Sequence, residues 1–284
     1  MKNPGVERIF LGWDAPLLPA AAARLVDHYL VGETADLRPA TLVLPGKRAR
    51  RRIIELLLNE TENRGVGLIP PKSTTVGDLP DRFYQGDKGV ADEITCLRAW
   101  SHALRGIDGS KLEEIFPRLP QVNDIASWEE LAQILLGLHQ TVAGEGHRFS
   151  DVARICSSSA LFDDGPRWRV LGTVQERYLR LLDELKLVDK FEQRIVALES
   201  GASPFAGDLW FVSIVELPSV TRKLVESSKA DVRVLIHGPG ELSEEAFDDF
   251  GLLSTDYWYS AHVPVTDEML QVVESPPLQA EAVI

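Results

Sequence analysis

The sequence predicts an α/β protein built on a parallel sheet, with a helical subdomain inserted between its strands. Strands and helices alternate at the start of the chain and again after residue 200, and this alternation is typical of parallel strands joined by crossover helices. Residues 88–200 lack a convincing strand and carry helical apolar periodicity instead. We therefore predict one α/β domain from residues 1–87 and 201–284, and an inserted helical subdomain from residues 88–200.

The first region contains two strand–helix units. The stretch "RIFLGW" (8–13) predicts a strand, and residues 19–30 predict a helix with a proline in its first turn. The stretch "ATLVLPG" (40–46) predicts a second buried strand, and residues 48–59 predict a second helix. In residues 65–84 we expect a short third strand, a proline-rich loop and a short helix.

The middle region predicts a bundle of amphipathic helices. Apolar residues recur on one helical face of two long segments, namely Trp128, Leu131, Ile134, Leu135 and Leu138 in the first and Leu171, Val174, Tyr178, Leu181, Leu182 and Leu185 in the second. Shorter helical patterns cover residues 91–106, 110–116, 148–157 and 190–199. Such helices, joined by short loops, are expected to pack as a bundle.

The third region returns to strands. The nearly all-apolar stretch 208–215 is typical of a central parallel strand. A helix (218–228) and a second buried strand (232–238) follow it, and we predict a last strand over residues 268–277. The final "LQAEAVI" resembles the first turn of a helix, so we expect the chain to be the N-terminal piece of a longer protein.

Composition limits the class of protein. Apolar residues make up 44% of the 284 positions, enough for a sizeable core, and no stretch approaches the roughly 20 apolar residues of a membrane span. The first ten residues lack the apolar core of a secretion signal. Cys96 and Cys156 are too few for a disulfide framework. We therefore expect a cytoplasmic protein with two ordinary thiols and no membrane contact.

The distribution of charge suggests one binding surface. A net charge of −13 argues against general nucleic-acid binding, because phosphates repel an acidic surface. However, "KRARRR" (47–52) places five cations in six positions at the start of a predicted helix, where free N–H groups also favour a phosphate. We predict phosphate-backbone contact by this basic segment. The alternative is a basic face that is solvated or paired with acidic neighbours.

The first strand leads into a degenerate version of a phosphate-binding loop. In the pattern G-x-x-x-x-G-K-[ST], glycines expose backbone N–H groups to the phosphates, the lysine supplies charge and the hydroxyl binds Mg²⁺. With Gly12 as the first glycine, Leu17 takes the place of the second, Leu18 that of the lysine and Pro19 that of the hydroxyl. We therefore predict an ordinary strand–helix turn that does not bind ATP.

Other candidate groups are weaker. Glu216 follows the strand 208–215, where ATPases place an acidic residue, but no acidic partner is adjacent; a structural role such as capping the next helix is the alternative that we favour. Five aromatic residues could stack on bases, but their acidic neighbours favour burial under the sheet edge instead; they are Phe247, Phe250, Tyr257, Trp258 and Tyr259. The sequence nominates no catalytic residue, metal ligand or cofactor.

The order of these stretches resembles the N-terminal region of AddB-type proteins, which are PD-(D/E)XK nuclease subunits of bacterial double-strand-break-repair complexes. Each stretch is a loose match, and together they span nearly the whole chain in the family's order. They are "IFLGWDAPLLPA", "LVLPGKRARR", "GVGLIPPKSTTVGDL", "IVELPSVTRKLVE", "FDDFGLLSTDYW" and "PPLQAEAVI".

The resemblance implies a P-loop-NTPase or RecA-like domain of the superfamily-one-helicase type that has lost ATPase function and carries a helical insertion. It implies a degenerate nucleotide site at Gly12, Leu18, Pro19 and Glu216. It also implies weak contact with single-stranded DNA by Lys47, Arg48, Arg50 and Arg51. It implies docking to a helicase or nuclease partner subunit or to the rest of its own chain. The nuclease motif would lie beyond Ile284, so this part of the protein would hold no cofactor.

Three functions follow from the sequence. The first is a non-catalytic, helicase-like module of a DNA-repair exonuclease. The second is an α/β enzyme that uses a nucleotide or phosphometabolite, with Glu216 and neighbouring strand ends as its site. The third is a purely architectural interaction domain in which the cations of the basic segment form internal ion pairs.

Overall fold

A computed structural model describes residues 5–158, 164–201, 205–242 and 245–262, together with 273 and 275. Its strands are β1 (Val6–Phe10), β2 (Leu30–Val31), β3 (Thr34–Asp36), β4 (Ala40–Leu44), β5 (Gly67–Ile69), β6 (Lys72–Thr75), β7 (Gly89–Val90), β8 (Leu187–Val188), β9 (Ala206–Val212) and β10 (Lys229–Ile236). Its helices are α1 (Leu17–Tyr29), α2 (Lys47–Arg64), α3 (Glu93–Arg105), α4 (Gly109–Leu112), α5 (Ile125–Gly144), α6 (Phe149–Ser158), α7 (Gly165–Glu184), α8 (Lys190–Ser200), α9 (Ser219–Glu226) and α10 (Thr255–Ser260). Short 3₁₀ turns cover Leu79–Arg82 and Gly240–Leu242.

The central sheet has five strands in the order β1-β10-β9-β4-β6, and every pairing within it is parallel. Its middle strands are strongly apolar, and all five residues of β4 are buried. Near-continuous apolar strands are expected when helices cover both faces of a parallel sheet. The predicted α/β class with a parallel sheet is therefore confirmed.

The two faces of the sheet support separate cores, because side chains alternate along each strand. Trp210 and Val212 of β9 point to the face covered by α1 and α2, where Leu25 and Ile53 are fully buried. Phe211, the residue between them, points to the other face, which is covered by α9 and by the segment that contains Phe250. The result is a three-layer arrangement of helix, sheet and helix.

The helices of the middle region surround an apolar core of their own. Helices α3, α5 and α7 share one apolar cluster, in which the rings of Trp100 and Tyr178 stack with centroids 4.2 Å apart. Two short strands that the sequence did not indicate, β7 and β8, pair in parallel where the chain enters and leaves this region. The following helix, α8, packs Ala197 against the core of the central sheet, so it joins the two regions.

Two short segments near the third predicted strand differ from the prediction. The apolar β5 pairs with β3 in a small separate sheet, and the polar β6 takes the place beside β4 in the central sheet. The signal for β6 was weak because "KSTT" follows two prolines and carries no apolar side chain. Thr74 and Thr75 are nevertheless buried there.

Two further predictions concern the ends of elements and the end of the chain. Helix α2 continues five residues beyond its predicted end at Asn59 and stops before Gly65, which adopts a left-handed conformation (φ 66°) suited to glycine. The predicted last strand, 268–277, lies outside the described residues apart from positions 273 and 275. Within the described part of the chain, none of the helices combines the length and the apolar character that a membrane crossing requires.

Candidate functional site at the carboxyl edge of the sheet

The carboxyl ends of all five parallel strands lie at one edge of the central sheet. At this edge the chain leaves β4 toward α2 on one face, whereas it leaves the neighbouring β9 toward α9 on the other face. Connections that diverge in this way form a topological switch point, and open α/β sheets bind ligands in the crevice expected at such a point. Lys47 and Glu216 follow the two strands that flank the crevice.

The basic segment borders this crevice as the first turns of α2. Lys47, Arg48 and Arg51 are exposed and Arg50 is partly buried. Within the described residues, none of these four side chains forms an ion pair or a hydrogen bond; their neighbour Arg52 does pair, with Glu55 one turn later (2.8 Å). The internal ion pairs that a purely architectural role predicts are therefore not found among the described residues.

The local electrostatics of α2 favour an anion. Gly46 precedes the helix in an extended conformation and has no side chain to cap it, and the first turn contains no acidic residue. The unpaired N–H groups and the partial positive charge of the helix end add to the charges of Lys47 and Arg48. These cations oppose the helix dipole, so an anionic partner would stabilise the segment.

Carboxylates lie nearby but are held by other cations. Asp78, just after β6, accepts a hydrogen bond from the Thr75 hydroxyl (2.8 Å) and lies 3.5 Å from the ammonium of Lys190. These two partners, with a smaller contribution from Lys47, lower the pKa of Asp78. Lys190 also pairs with Asp81 (2.9 Å). Because α8 supplies the close partners of these carboxylates, the cations of α2 stay accessible.

The backbone N–H groups at the start of the degenerate loop donate to carbonyls of the protein itself. The N–H groups of Leu11 and Gly12 donate to the carbonyls of Ile236 and Gly238 (2.9 and 3.0 Å), so neither amide is free for a phosphate. Gly12 has a left-handed backbone (φ 74°) that glycine adopts without strain. Leu18 and Pro19 lie in the first turn of α1, where Leu18 packs against the core.

Glu216 does not join the other residues of the degenerate nucleotide site. Strand β10 lies between β1, which leads to Gly12, and β9, which leads to Glu216, so two strand spacings of about 4.8 Å separate the two strand ends. Glu216 is exposed and has no hydrogen bond or ion pair with any described residue. The capping role that we favoured for it is absent from the described contacts of α9, whose N-cap position is Pro218 without a side-chain hydrogen bond.

The aromatic segment is mostly part of the core. Phe250 is 1% exposed and Phe247 8%, and both pack on the face of the sheet that α9 covers. Tyr257 and Trp258 are partly buried against the same cluster, and the Trp258 indole donates to the carbonyl of Ala246 (2.8 Å). The prediction of burial is confirmed for Phe247 and Phe250, holds in part for Tyr257 and Trp258, and is wrong for Tyr259, which is 93% exposed.

A buried polar network in the helical region was not predicted. His139 of α5 lies with Nε2 3.0 Å from Asp189, and its Nδ1 is 2.9 Å from the amide nitrogen of Gln175. The Gln175 oxygen accepts from the Phe149 N–H, so its NH₂ group donates to Nδ1, and Nε2 of a neutral imidazole donates to Asp189. Tyr178 donates a further hydrogen bond to Asp189 (2.7 Å).

This network is structural. His139 is fully buried and Asp189 is 3% exposed, and their hydrogen bonds are all to other side chains and backbone groups of the helical region. Burial by itself would raise the pKa of Asp189, but the hydrogen bonds from His139, Tyr178 and the Glu192 N–H hold it below its usual value. The two residues are 50 positions apart and lie in separate helical patterns, so no local spacing in the sequence could have indicated their contact.

Metal ligands and relatives add no further assignment. Among the described residues, no three or more His, Cys, Asp or Glu side chains are grouped as a metal site would require. Cys96 is buried and Cys156 partly exposed, and both are free thiols. No protein-family model matches the sequence, and no curated protein matches it significantly.

Proposed function

We propose that this chain is a non-catalytic, helicase-like module of a DNA-repair nuclease and that its basic segment contacts single-stranded DNA. The observation that carries the proposal is a set of four cations that form no ion pair or hydrogen bond with the described residues and that follow β4 at the switch point; they are Lys47, Arg48, Arg50 and Arg51. Phosphate groups suit this surface because the helix end supplies N–H donors as well as charge. The resemblance to AddB-type proteins supports the same assignment.

The proposal includes a weak affinity when the chain is alone. Four cations neutralise at most four phosphates, and the net charge of −13 repels the rest of a strand. A micromolar dissociation constant at best is therefore expected, with the remaining affinity supplied by a helicase or nuclease partner subunit or by the rest of the same protein. Phosphate contacts of this kind fix the orientation of the protein on a strand and do not read its base sequence.

Fluorescence anisotropy with a labelled single-stranded oligonucleotide tests the DNA contact. The variant in which Lys47, Arg48, Arg50 and Arg51 are all replaced by alanine is expected to lose binding. A matched control replaces four exposed cations of the helical region by alanine, namely Lys111, Arg118, Arg169 and Arg180. The control changes the net charge by the same amount, so it is expected to keep most of the binding. Equal loss in both variants would overturn the assignment of the site.

The rival enzymatic function has a separate test. The lysine and hydroxyl positions are lost, and the Leu11 and Gly12 amides donate to the carbonyls of Ile236 and Gly238, so a triphosphate lacks its usual donors. We therefore expect no magnesium-dependent rise in Tm with ATP. A rise in the unaltered chain that Glu216→Ala abolishes would instead support a nucleotide-using enzyme.

A further inference from the structure

A second cationic site lies in the helical region, between the end of α3 and the middle of α7. A cleft of about 330 Å³ opens there, and its lining residues are His102, Arg105, Gly106, Val122, Trp128 and Arg177. Three of the six are basic and none is acidic, although the chain as a whole is strongly acidic. The cleft is at the lower end of the size range of small-molecule sites.

Arg177 brings a guanidinium group to the wall of the cleft. Its Nε is buried and donates no hydrogen bond to any described residue. A buried N–H without an acceptor is costly, and a guanidinium offers five donors in a planar fork that suits a phosphate or carboxylate group. An anionic ligand in the cleft would offer acceptors to this guanidinium group.

The guanidinium does not serve as a cap for α3. The carbonyls of Ala103 and Leu104, at the end of that helix, already accept from the N–H groups of Gly106 and Ile107. Gly106 allows the close approach of Arg177, because a Cβ at that position would lie 2.3 Å from the guanidinium carbon. The glycine therefore keeps open the space in which Arg177 lies.

We propose that this cleft binds the phosphate group of a small phosphate monoester, with Arg177 as the central donor and His102 and Arg105 beside it. A dianionic phosphate suits a cleft lined by two arginines and a histidine better than a single carboxylate does. Trp128 supplies an apolar wall for the organic part of the ligand. The proposal is independent of the DNA contact at α2.

Isothermal titration calorimetry with inorganic phosphate and with a nucleoside 5′-monophosphate tests the proposal. The unaltered chain is expected to bind both probes, and Arg177→Ala is expected to weaken binding by about tenfold or more, as loss of a charged hydrogen bond does. Arg177→Lys keeps the charge and loses the planar fork, so its affinity is expected to fall between those two. Tighter binding of the nucleotide than of inorganic phosphate would show that Trp128 contacts the organic part of the ligand. Equal binding would show that the cleft recognises the phosphate group alone.

Two glycine-to-alanine variants provide a second test and its control. Gly106→Ala is expected to displace the guanidinium and to weaken binding as Arg177→Ala does, because the group that must move is the end of a flexible side chain. Gly137→Ala, whose Cβ would meet nothing within 4 Å, is expected to bind as the unaltered chain does. If Gly106→Ala does not fold, Arg177→Ala decides alone.

Absence of binding by the unaltered chain at millimolar phosphate, or equal binding by Arg177→Ala, would overturn the proposal. The quadruple alanine variant of α2 is expected to bind phosphate normally, which separates this site from the DNA contact.

Discussion

At the scale of single residues, Asp189 connects the helical region to the helix that follows it. One carboxylate oxygen accepts from the N–H groups of Phe191 and Glu192 at the start of α8 (both 2.8 Å), and it also accepts from His139. The second oxygen accepts from Tyr178. Burial and the adjacent Asp189 carboxylate raise the pKa of Tyr178, so its hydroxyl stays a donor. One side chain therefore links α5, α7 and α8.

Asp189→Asn tests how much this link contributes to the free energy of unfolding. The asparagine keeps one acceptor oxygen and loses the charge, so it is expected to lower the free energy of unfolding by about 2–3 kcal/mol, the scale of hydrogen bonds to buried charges. Asp92→Asn is the control, because Asp92 is an exposed N-cap of α3 and asparagine caps helices equally well. Urea denaturation measures both. Equal losses would show that burial adds nothing at Asp189.

The same carboxylate makes stability depend on pH. Its pKa in the folded protein lies below the usual value, which is about 3.9 in an unfolded chain. Its contribution is therefore complete above that pH and is lost as the pH falls through the folded pKa. The difference in unfolding free energy between the unaltered chain and Asp189→Asn is expected to shrink between pH 5 and pH 3. A difference that grows on acidification would contradict the assigned direction.

Single residues also show where sequence reasoning succeeds at the candidate site. The exposure of Lys47, Arg48 and Arg51 could be predicted, because Ile53 is fully buried on the opposite side of the same helix. The helical period places Leu58 on the same buried face, and this is wrong, because Leu58 is 46% exposed. Only packing partners decide which edge of an apolar stripe is covered. The cleft around Arg177 depends on two helices whose relative placement no local pattern contains.

At the scale of elements, the charges in the first turn of α2 oppose the dipole of that helix. Its first turn carries Lys47 and Arg48 and no acidic residue, and its last turn carries Arg64, where a cation is favourable. The end of α2 with the unfavourable charges is its N-terminal end, at the switch point. This is expected if binding, rather than helix stability, determined the residues of its first turn.

Arg48→Glu tests this conflict between stability and binding. An anion in the first turn complements the dipole, so the variant is expected to raise the free energy of unfolding by about 0.5–1 kcal/mol, while it weakens binding to single-stranded DNA. The same change at Arg52, which lies beyond the first turn and pairs with Glu55, is expected to give no gain. Thermal unfolding measures both variants. A loss of stability in Arg48→Glu would show that the cation has an internal partner.

Elements with a strong apolar period were predicted well, and short or polar elements were not. The start of α2 is within one residue of its predicted start because a buried strand, a proline and a glycine precede it. In contrast, β6 has no apolar alternation, and its place beside β4 follows from tertiary pairing. The pairing of β7 with β8 joins segments nearly 100 residues apart. It therefore follows from the way the helical region brings its two ends together, which no local pattern contains.

At the scale of the whole molecule, two cationic sites lie on a strongly acidic protein. The net charge of −13 limits non-specific attraction to nucleic acid, so any binding must come from local groups. The sheet places the cations of α2 at its carboxyl edge, and the helical region holds Arg177 in a separate cleft. Fold class and the basic segment were therefore accessible from the sequence, whereas the second site required the fold.

The salt dependence of binding to single-stranded DNA tests the central claim most directly. If the four cations of α2 contact up to four phosphates, the logarithm of the association constant is expected to fall with the logarithm of the salt concentration with a slope of about −3. The quadruple alanine variant is expected to give a slope near zero. An unaltered slope in that variant, or no measurable binding by the unaltered chain at low salt, would contradict the account.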